Sequence, residues 1–394
     1  MNALLKQTLE DRAADGPAPF VDVAALEAAG RARVRRRRLA RGVGALAVLA
    51  ALGAAAPYAL DAADGRDRDP GQVAVDPGAP AAVSWAAGDV VRIGDIDVTL
   101  PEAPSAYVVV GDAVVWAGSQ NGVYLTRADG STGRIGATAQ PYGRVLVAEG
   151  SLAGWYDTRA EEFVVYDVDA DEVALRVPTR RTGGATDEFG IPAVRALDEG
   201  VLWVFSRGEI GPSGIPLDEG GVAAVEVSSG DVVQWESSGG NDDLGDVQDG
   251  RLALALRSLE EVSQGLSGDE VLVRTAGGGE VGRVPGDNRA LLSPDATYVV
   301  TDPNDSEQVW DVATGADVTP DLGPYGFMAV AQWLDADRFQ ATAFTRDELR
   351  SGDDADLAAD VLVCSVDAGS CETVATDVAA PGDLQLPVGE NLGE

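Results

Sequence analysis

The chain has 394 residues, 45% of them apolar, and carries 29 Lys+Arg against 65 Asp+Glu for a net charge of −36. It contains no histidine, and its one lysine is Lys6, so Ser-His-Asp and Cys-His catalysis, imidazole metal ligation and, beyond residue 6, Schiff-base chemistry are excluded. Residues 1–41 hold Lys6 and eight arginines against five acids, a net +4 that leaves −40 for the remainder; nucleic acid, which is bound through basic surface that displaces counterions, is not an expected partner for that remainder.

In chain order, residues 2–14 form a weakly amphipathic helix with Leu5 and Leu9 four apart, and Asp22 can cap a second helix beginning at Val23, with Val21 and Leu26 placed as a hydrophobic staple. This helical tail is either a solvated segment or a docking site for a cytoplasmic partner. Gly42 to Leu60 follow as nineteen uncharged residues, roughly 28 Å of helix and about one hydrocarbon core. Arg31, Arg33, Arg35, Arg36, Arg37, Arg38 and Arg41 crowd one flank, while Asp61, Asp64, Asp67 and Asp69 intersperse Arg66 and Arg68 on the other. The positive-inside rule then predicts a single-pass membrane protein with residues 1–41 in the cytoplasm, residues 42–60 in the bilayer and the rest extracytoplasmic. Ala54-Ala55-Ala56 offers a signal-peptidase site as the rival reading, but the long basic region before the span and Pro57 after the site favour an uncleaved anchor. Residues 61–81, rich in Asp, Gly, Pro and Ala, read as a disordered stalk.

From residue 82 the pattern changes to short runs rich in Val, Leu, Trp and Tyr between Gly/Asp turns, the signature of an all-β domain over 82–390. A turn-then-apolar unit occurs six times, at 111–118, 149–157, 199–206, 249–256, 294–302 and 335–343, with a period of 38 to 50 residues. Each is followed by a second hairpin, at 123–135, 164–175, 222–233, 271–284, 309–318 and 361–374. Two hairpins per period make a four-stranded antiparallel blade, repeated about an axis as in a β-propeller. Strands are left over at both ends: AVSW (82–85), DVVRI (89–93) and IDVTL (96–100) at the start and DLQLPV (383–388) at the end. If the terminal strand is innermost and the first three complete its blade, the ring has seven blades and no open edge; the alternative is six.

VWDVATG at 309–315 resembles the strand ending of WD-repeat propellers, and LSPDATYVV at 292–300 is similar to the Ser-Pro-Asp turn of WD-type and TolB-type propellers. The resemblance covers 82–390 as architecture and implies a binding or scaffold role, although the WD-repeat histidine is absent. The whole plan also resembles membrane-anchored propeller proteins of high-GC bacteria.

Trp116, Trp155 and Trp203 fall in second strands that are apolar at nearly every position, which favours core packing over ligand stacking. Asp167, Asp169 and Asp171 mimic the start of a calcium loop, but Glu172 stands where glycine is wanted, and a polar turn is the better reading. No metal or other cofactor is expected. Cys364 and Cys371, the two cysteines, flank a hairpin turn and suit a disulfide. The connections from second to third strand are long in blades three (207–221), four (257–269) and six (344–359), and they share one face of the disc with the crossovers 178–192 and 236–246. That face carries the candidate binding residues Asp187, Glu188, Glu209, Asp218, Glu219, Asp242, Asp243, Asp246, Glu260, Glu261, Asp353, Asp354 and Asp356. The expected function is non-enzymatic recognition of an extracytoplasmic protein or ligand; the alternative is a transmembrane regulator of anti-sigma type whose cytoplasmic tail docks a transcription factor.

Overall fold

The computed structural model describes residues 81–391 except 139–142, 181–191, 212–214, 238–241, 257–269, 287–289, 304–306, 352–357 and 379–383. The expected tail (1–41), span (42–60) and stalk up to residue 80 lie outside the described residues; among those described, no helix is long and apolar enough to cross a membrane.

Short runs of β-branched and aromatic residues closed by Gly/Asp turns fold as antiparallel strands, because each turn supplies the left-handed residue that a tight reversal needs. The first three strands are β1 (Ser84–Ala87), β2 (Val90–Ile93) and β3 (Ile96–Thr99). Blade one is β4 (Ala106–Val110), β5 (Ala113–Ala117), β6 (Gly122–Thr126) and β7 (Thr132–Ala137). A short β8 (Gly143–Arg144) precedes blade two, which is β9 (Leu146–Glu149), β10 (Leu152–Asp157), β11 (Glu162–Asp167) and β12 (Glu172–Arg180). Blade three is β13 (Ala193–Asp198), β14 (Val201–Ile210), β15 (Ile215–Glu226) and β16 (Val232–Ser237), and blade four is β17 (Asp242–Gln248), β18 (Arg251–Leu256), β19 (Glu270–Thr275) and β20 (Glu280–Pro285). Blade five has three strands, β21 (Ala290–Leu292), β22 (Tyr298–Thr301) and β23 (Gln308–Asp311), with a single bridge from Trp310 to Asp317 in place of the fourth. Blade six is β24 (Tyr325–Trp333), β25 (Arg338–Thr345), β26 (Asp360–Ser365) and β27 (Ser370–Ala375), with helix α1 (Arg346–Ser351) after β25. The chain ends with β28 (Leu384–Gln385) and β29 (Glu390–Asn391).

Strand β28 pairs with β1 in the order β28-β1-β2-β3, so the seventh blade is built from both ends of the domain and the ring has seven blades rather than six. Its boundaries differ from expectation. The first strand starts two residues later than AVSW suggested, and the terminal strand keeps two residues before the chain turns away at Pro387–Val388. Gln340 secures the other side of this blade: its side chain accepts from Ser84 N–H at 2.9 Å and donates to Ser84 O at 2.7 Å. Tyr107, fully buried on β4, donates its hydroxyl to Gln385 O at 3.3 Å.

Apolar side chains of adjacent blades fill the spaces between them. Trp116, Trp155 and Trp203 are 1%, 0% and 5% exposed, in line with a packing role. Without histidine, the N–H groups of Trp310 and Trp116 find threonine acceptors, whereas those of Trp85 and Trp155 are buried without a hydrogen-bond partner among the described residues. Trp310 donates to Thr301 Oγ1 (2.9 Å), which donates to Pro285 O (2.7 Å). Trp116 donates to Thr126 Oγ1 (3.0 Å), which lies 2.9 Å from Thr132 Oγ1.

Cys364 and Cys371 are direct cross-strand partners on β26 and β27 and are disulfide-bonded. Most of β27 is exposed, so packing holds it weakly and the crosslink has a task there; for so short a loop the chain-entropy contribution is about 2 to 3 kcal/mol. Thiol labelling of unreduced, denatured protein should find no reactive cysteine, and two labelled thiols would exclude the bond.

Candidate functional site

Strand alternation gives the ring two unlike faces. On one, which we term the lower, lie the turns from first to second and from third to fourth strand; on the other, the upper, lie the connections from second to third strand and the crossovers between blades.

Several polar groups of the lower face join neighbouring blades, while others, such as Asp129, Asp295 and Asp335, close their own turns. Arg127 of blade one pairs with Asp171 of blade two at 2.7 Å, and Asp171 also accepts from Tyr166 OH. Asp171 closes the Asp167–Asp171 segment, a turn in which Asp167 accepts from the backbone N–H of Asp169 and Ala170. Glu149 at the end of β9 accepts from Glu199 N–H (2.7 Å) and Gly200 N–H (3.2 Å) in the next blade's turn. Asp198 at the end of β13 repeats the device one blade on, accepting from Asp249 N–H (3.0 Å) and Gly250 N–H (2.9 Å). Burial raises the pKa of both carboxyls, and the amides they accept from pull in the opposite direction. Arg251 donates to the Ala296 carbonyl of blade five at 3.1 Å, and Asp321 N–H donates to Gly369 O of blade six at 3.0 Å.

The upper face differs from the sequence-based picture in two places. The expected loop 207–221 is mostly strand: β14 and β15 run on as a hairpin whose inner residues pair Glu209 with Pro216 and Ile210 with Ile215. The same stretch of β14 pairs with the end of β12, Thr179 with Ile210 and Arg180 with Glu209, joining the outer strand of blade two to the second strand of blade three. Ile210 is fully buried there, which is why the segment folds as sheet rather than remaining a solvated connection. The expected loop 344–359 begins as the last two residues of β25, followed by α1.

The thirteen acids singled out above fall into three groups. Asp187, Glu188, Glu260, Glu261, Asp353, Asp354 and Asp356 lie outside the described residues. Glu209 stands on β14, Asp218 and Glu219 on β15, and Asp242 and Asp243 at the start of β17, all toward the upper ends of their strands. Asp246 is the exception. Expected on the crossover 236–246 as part of the binding face, it instead sits in the middle of β17 and is 3% exposed.

Asp246 belongs to a polar hub near the ring axis that sequence reasoning missed. Inner strands β13 and β17 each carry a bulge, at Arg195 and Gly245, and a bulge frees a carbonyl from the ladder. Arg144 Nη1 donates to both freed carbonyls, at 2.6 Å to Arg195 O and 3.3 Å to Gly245 O, and reaches Asp246 Oδ1 at 3.3 Å. Asp246 Oδ2 accepts from Leu292 N–H on β21 at 3.0 Å. The hub therefore links the inner edges of blades two, three, four and five. Burial pushes the Asp246 carboxyl up to about 6 against the opposing pull of Arg144 and the Leu292 amide. Arg144 was overlooked because it is one arginine before an apolar run; its partners are 51 to 102 positions away.

Among the described residues, no group of three or more carboxylate or thiol side chains is arranged to hold a metal ion. The chain matches no protein-family profile and no curated protein. Its fold is a β-propeller, and among solved structures it is similar to Kluyveromyces lactis Hsv2 with complete loop 6CD, at 12% identity over 66% of this chain and 72% of that one, with a TM-score of 0.39. A chain of the mitotic checkpoint complex is 13% identical over 84% of this chain and 90% of that one (TM-score 0.40), and the computationally designed Ika8 protein is 10% identical over 78% and 90% (TM-score 0.43).

Proposed function

We propose that this protein is a non-enzymatic binding or scaffold protein that recognises an extracytoplasmic protein or ligand through the upper face of its propeller, held at the membrane by residues 42–60 with residues 1–41 in the cytoplasm. The observation that carries the reading is the asymmetry of the two faces. On the lower face Glu149 and Asp198 tie each blade to the turn of the next, while the backbone positions of Glu209, Asp218, Glu219, Asp242 and Asp243 lie toward the upper ends of their strands, on the face to which the connections from second to third strand and the crossovers belong. A rigid ring presenting its insertions on one side is the arrangement by which scaffolds present variable loops. The missing histidine and the confinement of lysine to position 6 support a role without acid–base or covalent catalysis.

Two measurements test this. A reporter active only outside the cytoplasm, fused after Glu394, should be active; activity confined to a cytoplasmic reporter would overturn the topology. Crosslinking from the upper face should then capture a partner that is lost when Asp218 and Glu219 are both replaced by lysine in a protein that still melts as wild type. Capture unaffected by that double replacement, yet lost on altering lower-face Asp129 and Asp367, would move the binding surface to the other side.

A further inference from the structure

After β28 the chain forms a strap rather than a strand. It turns at Pro387–Val388, and Gly389 donates to Tyr107 O at 3.0 Å while its carbonyl accepts from Val145 N–H (2.7 Å) and Leu146 N–H (3.0 Å). Strand β29 then pairs with β8, placing Glu390 opposite Arg144 and Asn391 opposite Gly143. Leu386, Pro387 and Gly389 are buried, Gly389 against the inner strands of blades one and two. Gly389 has φ of +63°, and a Cβ there would stand 2.0 Å from Leu146 O, so the strap passes at backbone contact distance. Arg144 is thus shared: its backbone holds the strap and its guanidinium holds Asp246.

Asp246 is sealed in this arrangement, with its side chain 4% exposed. On its own strand it accepts from the Val247 N–H. From β8 it meets the Arg144 guanidinium, and from β21 the Leu292 N–H; Arg195 on β13 turns its guanidinium over the Phe205 ring at 5.7 Å and offers a carbonyl to Arg144. The Arg144 guanidinium at 3.3 Å, shared with two carbonyls, compensates a buried carboxylate only in part.

We propose that Leu386–Asn391 is a proton-linked strap along the inner edges of blades seven, one and two, closed in mild acid and loosened as the pH rises toward neutrality, with Asp246 carrying the linkage and Arg144 connecting it to the strap. Releasing the strap frees Arg144 and lets water reach the carboxylate, so ionisation favours the open form. The sign follows from the raised pKa: the closed form holds the proton more tightly, so its stabilisation is complete below the ordinary value of 3.8 and is lost as the pH rises through about 6.

Hydrogen exchange of the full chain, corrected for intrinsic rates, tests this on peptides covering 141–147 and 384–394. Each unit of pKa difference between closed and open forms is a tenfold change in opening, so strap protection should fall at least about ten-fold between about pH 5 and pH 7.5, while the β10–β11 hairpin stays unchanged. Asp246→Asn, permanently neutral, should abolish that dependence. Arg144→Gln removes the opposing cation and should move the transition to higher pH. Wild-type protection that is flat or rises with pH, the same slope in Asp246→Asn, or a transition unmoved in a folded Arg144→Gln protein would each overturn the proposal.

Discussion

Removing residues 383–394 should open the ring and lower the unfolding free energy by several kcal/mol, detected as a large drop in the urea or thermal midpoint. The truncation takes Leu384 and Leu386, 0% and 4% exposed, out of the core, and each fully buried leucine contributes roughly 1.5 to 3 kcal/mol. It also strands the inner edge of β1, the Tyr107 hydroxyl and the Val145 and Leu146 amides, all of which are satisfied by this segment. A net hydrogen bond contributes about 1 kcal/mol, and a buried donor left without a partner costs about 1 to 3. Domains commonly have only about 5 to 15 kcal/mol in hand, so the truncated ring should be partly unfolded at physiological temperature. A truncated protein that melts with the wild type would show that the C-terminal segment is not part of the closure.

Asp246→Ala should be the most damaging single substitution on the inner strands, costing about 3 to 5 kcal/mol, the range for breaking a buried ion pair by removing one partner. The reason lies in what remains. Arg144, with its side chain 14% exposed, would keep its charge without a carboxylate to balance it, and Leu292 N–H would lose its acceptor. The double replacement Arg144→Met with Asp246→Leu removes both charges and should recover much of the loss. An Asp246→Ala midpoint within about 1 kcal/mol of wild type would mean that water or other groups take over the hub. A double variant no better than the single one would mean that the Arg144 bonds to the Arg195 and Gly245 carbonyls matter more than the charge pair.

The blade repeat was legible because each blade writes its own local signal. Apolar runs of four to seven residues between Gly/Asp turns fix strand, turn and strand without help from distant residues, and left-handed Gly111, Gly150, Gly200 and Gly250 stand at those turns. The disulfide was legible for the same reason, since Cys364 and Cys371 lie in one hairpin and its register alone sets them opposite each other. Even the seventh blade followed from leftover strands and the cost of open edges.

What only the tertiary structure decided are the features that depend on packing between blades. The stretch 207–221 has the glycine and acid of a loop, yet burial of Ile210 against blade two turns it into sheet. DLQLPV looks like six residues of strand, but beyond Gln385 the backbone finds better partners on β4 and β8 and leaves the blade. Asp246 carries no local mark that separates it from Asp242 and Asp243 in the same acidic run. Two strand bulges and an arginine 102 positions away bury it and make it the centre of the hub, because burial is a property of the closed ring and not of the segment that bears the residue.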